Sequence, residues 1–287
     1  MNLLKDPIPG LIKKIALPAS IGTFFQTLFN IVDTFFAGTI SPEALSALAK
    51  SFPIYFIIIA ACVGVTVGGT SLIANSIGEN NKSKIHGYFV HTIIYAIIIS
   101  ILITLTGLIF APYLFELMGS KNEVIKLGLS YTNVVFGGSI IFIMLVALNS
   151  LLHADGDTKT YRNVLILSFL LNILLNPLFI FGFGPIPAFG ISGIGIATIV
   201  AQFIGLIIIF LKASKSNRIK NISPKDFNIN FKTLTNLFFQ SAPITAALLL
   251  ISVGNFIILT FIGVLENLQQ QDMVQQHDLN KYFCFLC

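Results

Sequence analysis

The residue in this sequence best suited to carry chemistry is Asp33, a carboxylate inside a long apolar segment. Between Ile15 and Pro42 no other side chain is ionisable, so Asp33 lies within a stretch long enough to span a bilayer. An aspartate at the centre of a membrane helix costs roughly 2.5–3.5 kcal/mol on insertion scales. Because such residues usually face the bundle interior and serve a pathway, we interpret Asp33 as a proton-, cation- or substrate-binding site.

The composition around Asp33 is that of an α-helical membrane protein. The 287-residue chain is 55% hydrophobic and 10% charged, with a mean hydropathy of +0.88, whereas soluble domains carry about 25% charged residues. Apolar runs long enough to cross roughly 30 Å of hydrocarbon recur along it, and they do not alternate as barrel strands do. We therefore predict an all-α, polytopic helical membrane protein with spans at 15–39, 52–77, 88–115, 127–152, 163–183, 190–211 and 236–264.

The positive charges are unevenly divided between the two sides of the predicted bundle. With a cytoplasmic N-terminus, thirteen Lys and Arg residues fall on the cytoplasmic side and four on the opposite side. This bias follows the positive-inside rule and predicts a multi-pass protein of the plasma (inner) membrane with its N-terminus in the cytoplasm. We therefore interpret the excess of Lys and Arg behind the net charge of +5 as a determinant of topology. Without a basic patch interleaved with aromatic residues, we expect no nucleic-acid partner.

Small residues and cysteines in the spans predict packing and not catalysis. Gly64, Gly68 and Gly69 in the second span favour close helix approach. Cys62, in the same span, is expected to pack as a small apolar residue. Cys284 and Cys287 form a single C-x-x-C without a second pair, which is weak support for a metal site. We predict no metal site and no cofactor.

The first and seventh spans share a spacing that suggests an internal repeat. The matching residues are Pro18, Asn30 and Gly38 in the first span and Pro243, Asn255 and Gly263 in the seventh, each pair 225 residues apart. Lys-containing segments precede both spans, so both enter the membrane from one side. This is the parallel repeat of two-lobe transporters. We predict a six-helix N-terminal lobe at 1–213, a basic inter-lobe loop at 214–235 and the first helix of a second lobe at 236–264.

Residues 265–287 differ in composition from everything before them, being rich in Gln and poor in apolar runs. We interpret this segment as a tail foreign to the repeat. The expectation that follows is a truncated or frameshifted copy of a protein about twice the repeat period in length. The alternative is a natural short subunit with a soluble tail.

Four short segments form recognisable motifs. They are Asn30–Gly38 (NIVDTFFAG), His153–Lys159 (HADGDTK), Asn172–Gly182 (NILLNPLFIFG) and Ser252–Asn255 (SVGN). Together they resemble the multidrug and toxic-compound extrusion family over about residues 10–264. His153 stands where Arg is usual, and Asn176 stands where many relatives carry Asp. The resemblance implies two six-helix lobes arranged in a V. It also implies export of amphipathic, often cationic or aromatic compounds in exchange for protons or sodium.

The same resemblance implies a site built around Asp33. By resemblance Asp33 is the coupling residue that binds a proton or cation. The residues that map around it as the lining of the substrate or coupling site are Gln26, Asn30, Tyr131, Asn172, Asn176 and Thr198. The assignments of Tyr131 and Thr198 depend on ungapped spacing.

Helical geometry is consistent with such a site. Gln26 and Asp33 lie two turns apart on one face of the first helix, and Asn172 and Asn176 share a face of the fifth. Asp33 and Asn176 are each about two turns from the outer end of their spans, so they can meet at one depth. Burial disfavours the ionised carboxylate and amide donors favour it, which allows protonation to act as a switch. Pro177 removes a helical hydrogen bond and is the predicted hinge.

The absence of a second carboxylate bears on the coupling ion. Position 176 is Asn, and the position equivalent to Asp33 in the repeat is Ile258. The site can therefore hold one proton, or one monovalent cation among neutral oxygen ligands. We expect proton coupling ahead of sodium.

Other functions fit the sequence less well. A lipid-linked oligosaccharide flippase usually needs cationic residues in its cavity, and no Lys or Arg lies within the predicted spans. An intramembrane aspartyl protease needs two facing Asp residues, and only Asp33 lies within the predicted spans. We therefore predict that the protein is not an enzyme. The expected partners are the lipid bilayer and a small amphipathic organic substrate. A further alternative is a non-functional fragment, unless two copies pair as a homodimer.

Overall fold

The computed structural model describes the backbone of residues 8–220, 222 and 224–285, with side chains described no further than residue 265. Within this part the chain is helical, and the prediction of an all-α protein is confirmed. The helices are α1 (Ile8–Ile40), α2 (Pro42–Gly78), α3 (Lys82–Leu117), α4 (Asn122–Gly137), α5 (Ser139–Ala154), α6 (Thr158–Phe181), α7 (Ile191–Ser214) and α8 (Phe231–Phe285), with a 3₁₀ turn at Pro224–Phe227.

The membrane-spanning helices agree with the predicted spans in number, with one difference in form. Among the described residues, six helices are individually long and apolar enough to cross a membrane, and α4 with α5 makes a seventh if the bent pair is one span. The prediction of one helix over 127–152 is therefore wrong, because the chain bends by 40° between Gly137 and Ser139.

The bend between α4 and α5 follows from the Gly137–Gly138 pair. Two adjacent glycines weaken a helix at the point where it can break. The hydroxyl of Thr104 donates to the Phe136 carbonyl at 2.9 Å and lies 2.7 Å from the Ser139 hydroxyl. A Cβ at Gly138 would overlap the side chain of Ile199 on α7. The bend is thus held by α3 and packed against α7.

Helix α8 is longer at both ends than the predicted 236–264. It starts at Phe231 because the Asn230 carboxamide accepts hydrogen bonds from the backbone N–H groups of Lys232 and Thr233 at 3.0 and 3.3 Å, as an N-cap does. It continues to Phe285, since the segment after Gly263 has no Gly or Pro and is rich in good helix formers. The Cys284–Cys287 pair lies outside the residues whose side chains are described.

Helix α2 is the central element of the fold, in contact with α1, α3, α4, α5 and α8. Its glycines make the close approaches that the sequence predicted. A Cβ at Gly64 would overlap the Thr245 hydroxyl, and one at Gly68 would overlap the Ser241 hydroxyl, both on α8. On the other side, a Cβ at Gly69 would lie 2.7 Å from the methyl group of Thr92 on α3. Small residues on α2 therefore seat α3 and α8 against one helix.

The turn between α6 and α7 requires glycine at two positions. Gly182 ends α6 with φ 76° and Gly190 precedes α7 with φ 57°, values that side chains rarely adopt. The turn closes on α6, because the N–H groups of Phe189 and Gly190 donate to the carbonyls of Phe179 and Ile180 at 2.9 and 3.1 Å. This geometry returns the chain directly along α6 and brings α7 beside it.

The loop between α7 and α8 is tied to the rest of the fold through α3. The His91 ring is 3% exposed, and its Nδ1 lies 2.7 Å from the Gly87 carbonyl. Because a carbonyl only accepts, Nδ1 carries the hydrogen and Nε2 is free to accept. Nε2 accepts the N–H of Asn230, the α8 N-cap, at 2.9 Å. One buried ring thus joins α3 to the start of α8.

Replacing His91 with Leu is expected to loosen the start of α8. The Asn230 N–H loses its acceptor, which lowers the free energy of unfolding by about 1 kcal/mol. Hydrogen–deuterium exchange in detergent is expected to be faster at residues 229–234. His91→Gln is the matched control, because its amide oxygen can accept the same hydrogen. Its exchange at these residues is expected to be slower than that of His91→Leu. Equal exchange in wild type and His91→Leu would contradict the role of the ring.

Candidate functional site

Asp33 is buried in the bundle and held by three side-chain donors. It is 6% exposed. Its Oδ1 accepts hydrogen bonds from the Nδ2 groups of Asn172 and Asn176, both at 2.9 Å. Its Oδ2 accepts one from the Thr198 hydroxyl at 3.2 Å. Hydrogen bonds to an ionised acceptor are stronger than neutral ones, so these donors compensate for much of the cost of burying the carboxylate.

The two asparagines come from one face of α6, as their spacing predicted. Asn176 Nδ2 also donates to Asn172 Oδ1 at 3.0 Å, so the two amides form a ladder beside the carboxylate. Both are fully buried. The remaining oxygen, Asn176 Oδ1, is buried and has no donor among the described residues. The network therefore leaves one buried amide oxygen without a hydrogen-bond donor.

Glycines bring the three helices of the site together. A Cβ at Gly22 of α1 would lie 3.1 Å from Leu165 of α6. A Cβ at Gly193 of α7 would lie 2.6 Å from the carbonyl of Phe179. Such contacts allow α7 to approach α6 closely enough for Thr198 to reach Asp33. Helix α6 runs without a break through Pro177, and a hinge at this proline stays a prediction.

A cavity of about 460 Å³ opens next to Asp33. Three of the predicted lining residues, Asn30, Tyr131 and Thr198, are on its wall. The rest of the wall comes from α1, α2 and α8: Thr34, Leu48, Ala49, Phe52, Pro53, Tyr55, Asn255, Ile258 and Leu259. Among these described lining residues Asp33 is the only acidic one and none is basic. The cavity therefore presents a single carboxyl group on a mostly apolar surface.

Gln26, a predicted lining residue, is not on the wall of the cavity beside Asp33. It lines a second cavity of about 380 Å³, together with Cys62, Tyr161 and Gln202. A two-turn spacing puts Gln26 and Asp33 on one face of α1, but each faces a different cavity. Tyr55 lines both cavities, and its ring packs edge-on against Phe142 at 6.3 Å between centroids.

Tyr55 and Asn255 are two of the lining residues that had no role in the sequence-based site. Tyr55 had no signal beyond being a phenol within an apolar span. Asn255 did have one, because it is the repeat partner of Asn30 at a distance of 225 residues. The same repeat puts an amide on α8 at the position equivalent to Asn30.

Comparison with known proteins gives related transporters. The family model described as MatE matches residues 18–178. An FAD transporter of Shewanella oneidensis is 30% identical over 205 residues, which is 71% of this chain and 45% of the relative. A probable multidrug resistance protein NorM of Thermotoga maritima is 30% identical over 208 residues, 71% of this chain and 44% of the relative.

Solved structures agree with these relatives. A transporter of the MOP superfamily from Pyrococcus furiosus superimposes with a TM-score of 0.77 at 30% identity. The superposition covers 86% of this chain and 54% of the other. The chain thus spans about half the length of the curated relatives and of the structure it matches.

Proposed function

This chain belongs to the MatE family of transporters, and we propose that it provides the cation-coupling half of an antiporter exporting small amphipathic cations. It is a multi-pass helical membrane protein, and its relatives include multidrug efflux transporters. The proposed export uses the inward movement of a coupling ion, which binds at Asp33. We also propose that the protein resides in the plasma (inner) membrane with its N-terminus in the cytoplasm, on the strength of the charge bias.

The observation that carries this proposal is the buried Asp33 carboxylate on the wall of an apolar cavity. Its three hydrogen-bond donors are neutral, and no other described lining residue is acidic or basic. A cationic substrate and a coupling proton would compete for the same negative charge. Such competition at a single site couples the two cations, since binding of one favours release of the other.

The hydrogen-bond inventory supports a proton as the coupling ion. Two amide nitrogens point at Asp33, whereas a hard cation needs oxygen ligands. Asn176 Oδ1 is an acceptor without a donor. A proton on Asp33 would add one donor to this network, and a rotated Asn176 amide would accept it. Sodium would require an amide to turn its oxygen toward the ion, beside the oxygens of Asp33 and Thr198.

The charge of the cavity supports a cationic substrate over an anionic one. The relative from Shewanella oneidensis carries FAD, a dinucleotide with a negatively charged pyrophosphate. Lipid-linked oligosaccharides carry similar phosphates. In the first cavity of this chain the described lining has an aspartate and no Lys or Arg, so an anion there would meet repulsion without compensation. We therefore favour an amphipathic cation as the substrate over FAD or a lipid-linked oligosaccharide.

The remaining half of the transport path is also a proposal. The chain spans about half of its relatives, and a two-lobe path needs the helices that follow α8 in them. We propose that these come either from the rest of a longer protein or from a second copy of this chain. A chain without either would bind the substrate and the proton but would not transport.

Proton release on substrate binding tests the coupling ion. Tetraphenylphosphonium is titrated into the purified chain in buffers of different ionisation enthalpy, with either K⁺ or Na⁺ as the salt. We expect proton release, up to one per cation bound, because the bound charge favours the ionised form of Asp33. Affinity is expected to be the same in both salts. Binding that requires Na⁺ and releases no proton would overturn proton coupling.

Asn176→Asp is the variant that shifts this result. A second carboxylate beside Asp33 creates the acidic pair that this chain lacks, and Na⁺ is then expected to compete with the organic cation. Asn163→Asp is the matched control, since it makes the same change on an exposed turn of the same helix. Sodium sensitivity in both variants would point to a nonspecific charge effect.

A further inference from the structure

The cavity beside Asp33 is lined by equivalent faces of the two helices that begin the repeat. On α1 the lining residues are Asn30, Asp33 and Thr34, and on α8 they are Asn255, Ile258 and Leu259. Each α8 residue lies 225 positions after its α1 counterpart, the same offset that relates Pro18 to Pro243. The internal repeat is therefore preserved in the wall of the cavity.

The register of α8 against this cavity is held on both sides. The Ser252 side chain is buried, and its hydroxyl donates to the Pro53 carbonyl of α2 at 2.6 Å. Ser252 lies one turn before Asn255 on α8, and Pro53 itself lines the cavity. Further along, a Cβ at Gly263 would overlap the Met118 carbonyl at the end of α3. The face at residues 255–259 is thus held against the cavity and not free to rotate.

The two equivalent walls differ in charge. At the position where α1 has the Asp33 carboxylate, α8 has the side chain of Ile258. Thr34 is likewise matched by Leu259, and only the Asn30–Asn255 pair keeps the same polar group on both walls. A ligand that bridges the cavity meets a negative charge on one side and an aliphatic surface on the other, with an amide on each.

We propose that the α8 face of Asn255, Ile258 and Leu259 is the second wall of the substrate site and that Ile258 restricts the site to ligands with one positive charge. This inference rests on the proposed function. The ligand lies with its cationic group toward Asp33 and its apolar part on Ile258 and Leu259, with Asn255 as a hydrogen-bonding partner. A ligand with a second charge would place that charge beside the aliphatic Ile258 side chain, where no described lining residue provides a counter-charge, and the loss of hydration there is costly.

Two probes of the same chemistry and different charge test the proposal. They are tetraphenylphosphonium and a decamethylene-linked bis-triphenylphosphonium, titrated into the purified full chain. In wild type the monocation is expected to bind and the dication to bind more weakly. Ile258→Asp is expected to raise the dication affinity by about tenfold or more relative to Ile258→Asn, since a charge-assisted contact is worth more than a neutral one. Equal dication affinity in these two variants would overturn the role of Ile258.

A second variant keeps the proposal testable if Ile258→Asp does not fold. Ile258→Ala removes apolar contact and is expected to weaken tetraphenylphosphonium binding by about tenfold. Ile257→Ala is the matched control, because Ile257 is on the same turn, is exposed to a similar degree (48% against 58% for Ile258) and is outside the cavity lining. An equal effect of both alanines would also overturn the proposal.

The outcomes separate this inference from the proposed function. Wild-type binding of tetraphenylphosphonium that is lost in Asp33→Asn but unaffected by any Ile258 variant would leave the Asp33 site intact and remove α8 from it. No binding of either probe by the folded wild-type chain would overturn the proposed function itself.

Discussion

Asp33→Asn is expected to abolish the proton release that accompanies tetraphenylphosphonium binding and to weaken that binding about tenfold to a hundredfold. This change in affinity corresponds to the contribution of an interaction with a charged group, roughly 1.5–3 kcal/mol. Proton release is lost because an amide has no proton to exchange in the working range. In a complete transporter containing this half, coupled export is expected to stop while expression continues. Isothermal titration in two buffers measures affinity and proton count together.

The protein is expected to fold with this substitution. An Asn at position 33 keeps an oxygen to accept from Asn172 and Asn176, and its amide can donate to the Thr198 hydroxyl, so the present contacts have replacements. Asp155→Asn is the matched control, since Asp155 forms an ion pair with Arg218 that is partly exposed to solvent and contributes little. Wild-type proton release by Asp33→Asn would rule out Asp33 as the coupling residue.

Gly68→Leu is expected to separate α8 from α2 and to lower the stability of the chain. Even a Cβ at this position would overlap the Ser241 hydroxyl and lie 3.1 Å from the backbone carbonyl of Leu237. A backbone atom cannot move as a side chain can, so we expect the upper part of the usual overpacking range, about 3 kcal/mol. Thermal unfolding in detergent measures the loss, and binding of tetraphenylphosphonium measures the effect on the cavity.

Gly254→Leu is the control for this prediction. Gly254 is on α8 itself, and a Cβ there has no neighbour within 4 Å, so the same added side chain meets no steric conflict. Its unfolding temperature is expected to match that of wild type. If the two variants unfold at the same temperature, the seat of α8 does not depend on the glycine at 68, and the packing described for Ser241 and Thr245 is not what holds the helix.

These two predictions concern different sides of one cavity. Asp33 provides the charge on the α1 wall, and the seat of α8 on Gly64 and Gly68 keeps the opposing wall in register. Weaker binding in Gly68→Leu with an unchanged number of protons released per bound cation would assign the α8 wall to the substrate alone. Weaker binding with fewer protons released per bound cation would mean that the carboxylate environment also depends on α8.

Much of the site could be predicted from local pattern. Asn172 and Asn176 are four residues apart, so helical periodicity alone puts them on one face. Asp33 and Asn176 lie at about the same depth in their predicted spans, which predicts that they meet. In the structure both amides donate to Asp33 at 2.9 Å. Gln26 is the counterexample: the same periodicity aligned it with Asp33, yet it lines a different cavity. Periodicity gives the face of a helix, but it does not say which neighbours divide the space in front of that face.

The sequence by itself determined the helical class, the number of spans and the isolation of Asp33. These depend on hydropathy and helical repeat, which are summed over residues adjacent in the chain. Only the tertiary structure decided that the fourth span bends at Gly138, that α8 packs on Gly64 and Gly68, and that Ile258 and Asp33 line the same cavity. Those features depend on steric fit between segments distant in sequence, where the position of one carbonyl or hydroxyl decides the outcome, and no local pattern contains that information.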